Sequence, residues 1–154
     1  MEELRVRDIM QTEVVTAGPE TTVAELADLL AEHKVSGMPV VDAENRVVGV
    51  VSEADVIMQD ADLHFPHYVQ LLESIIYLES VRKFEERYRK AFGTKVADIM
   101  TQDVVSISPD ASVHDAATLM ADSNVNRLPV TEGRHLVGIV TRGDIVKAIA
   151  ESKV

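Results

Sequence analysis

"VGIVTRGDIV", Val137 to Val146, runs as a buried strand through Val137, Ile139 and Val140 and then breaks into Thr141, Arg142, Gly143 and Asp144. The same change of character stands at "VGVVSEADVI", Val48 to Ile57, with Ser52 and Asp55 in the places of Thr141 and Asp144. An apolar run that ends in a hydroxyl, followed three residues later by a carboxylate, is the pattern of a strand feeding directly into a capped helix. Its double use makes repetition the first property to establish.

The repetition extends well beyond these ten residues. The stretch from Val6, "VRDIMQTEVVTAGPETTVAELADLL", realigns on "VADIMTQDVVSISPDASVHDAATLM" from Val96, an offset of 90 that holds through the Pro39/Pro129 pair and becomes 89 from Gly49/Gly138. One residue is therefore lost in the intervening turn. Asp-Ile-Met, Val-Val, Pro, Pro-Val, Val-Gly and the final Asp all recur in register.

Periodicity gives each copy the same elements. Val14 to Thr16 and Val104 to Ser106 read as short strands closed by Pro19 and Pro109, which cannot continue a ladder. Thr22 to Glu32 and Ser112 to Asp122 read as amphipathic helices, with Val23, Leu26, Ala27 and Leu30 on one face of the first. Two strands joined by a polar turn follow, Met38 to Val41 with Val47 to Val51, and Leu128 to Thr131 with Leu136 to Val140. A second helix starts at Glu53 and again at Arg142. The expected fold class is α/β, with two pseudo-symmetric β-α-β-β-α repeats packed sheet to sheet and a helical insert between them. The expected divisions are 1–58 for the first repeat, 59–95 for the insert and 96–154 for the second repeat.

With 154 residues, 46% hydrophobic and 27% charged, the chain has the composition of a packed domain or of two small ones sharing a core. Such a chain buries roughly two-thirds of its unfolded surface. A net charge of −11 and a pI near 4.8 argue against general affinity for nucleic acid or for anionic membrane surfaces, both of which call for a basic face. "MEELRVRDIM" lacks the apolar core of a signal peptide, and no apolar run approaches the length of a membrane span, so the expected setting is cytoplasmic. With no cysteine, disulfides, thiol catalysis and thiolate metal sites are all excluded.

The insert has its own character. Its six acids and six bases cancel, so the acidic excess sits on the repeats and termini. Tyr77, Val81, Phe84, Tyr88 and Phe92 recur at spacings of four, three, four and four, one stripe of a long helix that Gly93 is suited to end. That stripe either packs back on its own domain or offers a surface to another chain. His64 and His67 have the spacing of a helical metal pair, but no further ligand cluster completes the set. No Gly-x-Ser-x-Gly, phosphate-binding loop or ordered Ser-His-Asp set supports nucleophilic hydrolysis, and the chain is not expected to be an enzyme.

The Ser/Thr-x-x-Asp/Glu pattern occurs four times, as Thr22/Glu25, Ser52/Asp55, Ser112/Asp115 and Thr141/Asp144, and helix capping alone accounts for all four. Ser52 and Thr141 differ from the other two in standing where a strand ends and a helix begins, a place where backbone N–H groups and the helix dipole favour an anion. There the sequence resembles the tandem CBS domain family, named after cystathionine beta-synthase. The resemblance runs from "DIM" through "MPVVDAENRVVGVVSEAD" and from "DIM" through "RLPVTEGRHLVGIVTRGD", leaving only Gln59 to Lys95 outside it.

The resemblance implies ligand contacts residue by residue. Ser52 and Thr141 would contact a phosphate, and Asp55 and Asp144 would take the ribose hydroxyls, a fitting role for an acceptor-only carboxylate facing two donors. The positions matching the adenine contacts are Thr16, Met38, Pro39 and Val40, with Ser106, Leu128, Pro129 and Val130; all of these are also natural core or strand residues. Arg127 matches a position that is often basic and close to phosphate, whereas its counterpart is Gly37, and Arg142 has Glu53 as its counterpart. Arginine grips phosphate by paired hydrogen bonds and glutamate repels it, so the two clefts are expected to be unequal. The implied function is regulatory binding of an adenine nucleotide (AMP, ADP or ATP) or of S-adenosylmethionine, with Mg as a conceivable companion and no obligatory cofactor. The implied assembly is a homodimer whose geometry responds to ligand and acts on a separate protein partner. The alternative is an interaction scaffold that uses the 59–95 segment and has vestigial clefts.

Overall fold

The computed structural model describes residues 3–61, 68–71, 74–77 and 94–152. In chain order the first repeat contains helix α1 (Val6–Ile9), helix α2 (Val23–His33), strands β1 (Gly37–Val41) and β2 (Val47–Ser52) and helix α3 (Glu53–Ala61). The insert contributes β3 (Tyr68–Leu71) and β4 (Ser74–Tyr77). The second repeat contains α4 (Val96–Ile99), α5 (Val113–Ser123), β5 (Arg127–Glu132), β6 (His135–Thr141) and α6 (Arg142–Ser152).

Each repeat is built on an antiparallel hairpin, β1 with β2 (Met38 opposite Val51) and β5 with β6 (Leu128 opposite Val140). The lost residue lies in the turn between the strands. In the first repeat Asp42 accepts hydrogen bonds from the Glu44 and Arg46 amides, both at 2.9 Å, and Asn45 takes the left-handed conformation. In the second, Gly133 and Arg134 both have positive φ, 55° and 78°, as a tight two-residue hairpin turn requires. The helices α2 and α5 start on Thr22 and Ser112, whose hydroxyls accept from the Glu25 and Asp115 amides. They end on left-handed Lys34 and Asn124.

The expected first strand of each repeat does not form. Val14 to Thr16 and Val104 to Ser106 lie outside regular strands, and only Ala17 and Ile107 make single parallel bridges, to Val40 and Val130. Proline explains both limits. The Ala17 amide donates to the Pro39 carbonyl at 3.1 Å and the Val41 amide to the Ala17 carbonyl at 2.9 Å. The next rung along this ladder would need an N–H from Pro19, and the previous one an N–H from Pro39; neither exists. Pro109 and Pro129 impose the same limits on Ile107. Because the nitrogen of Pro39 points toward this truncated ladder and not toward β2, proline is tolerated in the strand.

The sequence repeat is not the packing unit. Val6 belongs to the core of the second repeat, with Leu128, Val130, Val140 and Ile145, while Val96 belongs to that of the first, with Leu26, Met38, Val40 and Val51. The Val6 amide donates to the Ala111 carbonyl at 2.8 Å, and Gln11 forms an antiparallel bridge with Ile139. The mirror contacts run from Val96 to Thr21 and from Thr101 to Val50. Gly138 and Gly49 make room for this exchange: a Cβ at Gly138 would lie 2.7 Å from Met10 Sδ and 3.0 Å from the Gln11 carbonyl oxygen, and one at Gly49 would meet Met100. The recurring Asp-Ile-Met and Val-Gly motifs are therefore two sides of one contact, each copy supplying a methionine to the glycine of the other.

A pseudo-twofold axis relates the repeats, marked by contacts between equivalent positions. At one end Arg46 bridges His135, and the Val47 amide donates to the Arg134 carbonyl at 2.9 Å. At the other end the Arg127 side chain lies against Gly37. In the insert, β3 and β4 form a hairpin with Tyr68 opposite Tyr77, which places Tyr77 in a strand and not at the start of a helix. The remainder of the expected stripe, Val81, Phe84, Tyr88 and Phe92, and the His64/His67 pair lie outside the described residues. Among the described residues no helix is long and apolar enough to cross a membrane.

Candidate functional site

Truncation of the parallel ladder leaves a gap between the repeats, and a cleft of about 340 Å³ occupies it, within the roughly 300–1,000 Å³ typical of small-molecule sites. One wall is the open edge of the first repeat: Val14 and Val15, then Lys34, Ser36 and Gly37 leading into β1. The other wall is the junction of β6 with α6, where Thr141, Arg142 and Gly143 meet Arg127. Among the described residues, the backbone of Val14, Val15 and Thr16 pairs with no other backbone group, so this edge presents free donors and acceptors to the cleft. The site therefore draws on both repeats, joining the edge of one to the helix start of the other.

Thr141 and Asp144 form a reciprocal cap. The Thr141 amide donates to Asp144 Oδ2 at 2.9 Å, and the Asp144 amide donates to Thr141 Oγ1 at 3.3 Å. The Gln11 side-chain amide, reaching across from the exchanged N-terminal segment, donates to both oxygens of Asp144 at 3.2 Å. Because Thr141 Oγ1 accepts the capping bond, its own proton remains available to a ligand. In the other repeat the Ser52 amide donates to Asp55 Oδ2 at 2.8 Å, and Ser52 Oγ itself donates to that oxygen at 3.4 Å.

Arg127 is the pivot of the site. Partly buried, it donates to Ser36 Oγ from across the axis. Burial holds its guanidinium below the ordinary value, while Glu53 pulls it the other way. With Lys34 and Arg142 it makes three cations in the cleft against one acid, Glu13, in a chain whose net charge is −11.

The other sequence-predicted residues divide by burial. Met38, Val40, Leu128 and Val130 are all at most 1% exposed and sit in the two cores, and Pro39 and Pro129 are buried beside them. Thr16 is partly buried next to the cleft-lining Val15, and Ser106 is exposed at the equivalent edge of the second repeat. Ser52 and Asp55 stand at the β2–α3 junction and, like Asp144, are not among the residues that line the Thr141 cleft. Lys34, Ser36 and Gln11 were not anticipated. The one signal for Lys34 was its asymmetry with Asn124: asparagine is at home in a left-handed cap and lysine is not.

Two α/β repeats that exchange their leading segments around a shared cleft define a paired architecture. The CBS domain family model matches residues 6–62 and 96–151, and the chain belongs to this family. It is 34% identical to the uncharacterized protein MJ1426 of Methanocaldococcus jannaschii over 94% of this chain and 90% of that one. It is 31% identical to the chloroplastic CBS domain-containing protein CBSX2 of Arabidopsis thaliana, of whose length it spans 58%. The crystal structure of CBSX2 in complex with AMP superimposes with a TM-score of 0.75 at 29% identity, covering 98% of this chain and 99% of that one. The CBS domain pair of protein MJ0100, solved with 5′-methylthioadenosine and S-adenosyl-L-methionine, superimposes with a TM-score of 0.68 at 25% identity, covering 94% of this chain and 98% of that one.

Proposed function

We propose that this chain is a regulatory module that binds an adenosine-containing ligand, in first place an adenine nucleotide, in the cleft of Val14, Val15, Thr141 and Arg142. The observation that carries the reading is the meeting in one cleft of an unpaired backbone edge with a capped helix start and three cations. A purine needs both donors and acceptors along one edge, and free backbone supplies them. A phosphate needs cations and a hydroxyl donor, which Arg127, Arg142, Lys34 and Thr141 supply. Asp144 then takes the ribose hydroxyls, with the Gln11 amide giving way. The complexes of CBSX2 with AMP and of the MJ0100 pair with adenosyl ligands support the ligand class.

The module acts without catalysis, through a separate partner and through a homodimer whose geometry follows ligand occupancy. Ile57 on α3 and Val146 on α6 occupy equivalent positions and are 63% and 60% exposed, which gives the pair an apolar helical surface suited to a second copy.

A thermal-shift titration with AMP, ADP, ATP and S-adenosylmethionine, with GMP as control, tests the reading. A ligand at a hundred times its Kd stabilises the fold by about 2.7 kcal/mol. For a chain of this size that raises Tm by about 5–10 °C. A flat response to every adenosine ligand would overturn the proposal.

A further inference from the structure

We infer that the chain holds one phosphorylated ligand, in the Thr141 cleft, and that Glu53 is the specificity-determining residue that keeps phosphate from the symmetry-equivalent position beside Ser52; this rests on the nucleotide-binding reading above.

The pseudo-twofold axis sets a limit on the phosphate anchor. Positions 37 and 127 are equivalent and face each other across the axis, so the Arg127 side chain occupies the space that a side chain at position 37 would need. A Cβ at Gly37 would run into the Arg127 guanidinium and lie 3.0 Å from the Val51 carbonyl oxygen. An arginine at position 37 would push the Arg127 head aside and set two cations against each other across the axis; as built, the pair holds one axial cation. With a single axial cation between them, the remaining residues on each side of the axis decide where phosphate goes.

Those residues are opposite in charge. The repeat offset carries Lys34, Arg142 and Glu13 of the Thr141 cleft onto Asn124, Glu53 and Asp103 on the Ser52 side. Two cations and an acid become two acids. Glu53 is exposed at the first turn of α3, where Arg142 stands on α6, and its charge acts on Arg127. A phosphate entering beside Ser52 would meet Glu53 at the position that should grip it. The hydroxyls differ as well: Thr141 Oγ1 accepts its cap and keeps a proton to donate, whereas Ser52 Oγ is already donating to Asp55.

Isothermal titration of the full chain with AMP reads this out as stoichiometry. One AMP per chain is expected for the parent protein, with Thr141→Ala weakening that event at least tenfold. Glu53→Arg should raise the count to two, and the added event should survive Thr141→Ala. Glu53→Gln, which removes the charge without adding one, should give a second event weaker than that of Glu53→Arg and guards against a folding defect in the arginine variant. Two AMP per parent chain, a single event unaffected by Thr141→Ala, or no second event in either Glu53 variant would each overturn the inference while leaving nucleotide binding intact. Absence of any AMP binding by the parent would instead bring down the nucleotide reading itself.

Discussion

Replacing Asp144 by alanine separates the two roles that one carboxylate serves. In the free protein its Oδ2 accepts the Thr141 amide at 2.9 Å, and both oxygens accept the Gln11 side chain at 3.2 Å. Loss of the cap contribution costs about 1 kcal/mol of stability. For a chain of this length that lowers Tm by about 2–4 °C. The Gln11 bond is exposed and water replaces it, so it adds little. Hydrogen bonds from ribose hydroxyls to a charged carboxylate contribute about 1.5–3 kcal/mol, so affinity for AMP should fall by roughly 10- to 150-fold. Ser112→Ala is the matched control: its hydroxyl caps α5 by accepting the Asp115 amide at 2.9 Å, and its loss should cost similar stability with no change in affinity. Calorimetric titration of AMP beside thermal denaturation measures both quantities. If Asp144→Ala binds AMP as tightly as the parent, or loses no more affinity than Ser112→Ala, Asp144 is a helix cap alone and the ribose lies elsewhere.

Two further outcomes test the fold that holds the site. Gly138→Ala would set a Cβ 2.7 Å from Met10 Sδ and 3.0 Å from a backbone carbonyl, so urea denaturation should show a loss of about 1–3 kcal/mol; adding Met10→Ala should recover part of this loss, and strict additivity would count against the exchanged packing. The Asp42 carboxyl is held below its ordinary value of 3.8, chiefly by the Arg46 amide and against some desolvation, with the Glu44 amide assisting. Its contribution is full above the unfolded value and disappears as pH falls through the lower folded value. An NMR titration should therefore find the Asp42 midpoint below 3.8, and Asp42→Asn should flatten the acid limb of the Tm profile; an unshifted midpoint would show that the turn bonds do not persist in solution.

The paired motifs made the fold class readable because each records a local need: a Pro to end an edge, a hydroxyl to cap a helix, an apolar period to face a core. Thr141 and Arg142 were likewise legible as candidates, since a strand ending in polar groups at a helix start is a local pattern, whereas Arg127, at the start of β5, came only from the family resemblance. Lys34 was not, because its entry into the cleft depends on a left-handed cap conformation that its side chain does not favour.

Local periodicity and turn chemistry thus determined the two hairpins, the long helices, their caps and the strand-to-helix junctions. Which repeat each piece serves was decided only in three dimensions. Val6 and Val96 read as the starts of their own copies, yet each is buried in the core of the other, because Gly138 and Gly49 admit Met10 and Met100 across the axis. The Val14–Thr16 strand was expected from its β-branched residues, but whether it could form depended on the partner that met it, and Pro39 in that partner withholds the N–H it needs. Met38, Val40, Leu128 and Val130 followed the same logic: their motif marks them for the ligand, while packing places them in the core. Sequence determines what each segment can do alone; that Gly37 and Arg127, already unlike in the sequence, lie against each other was decided only when the axis brought those two positions together.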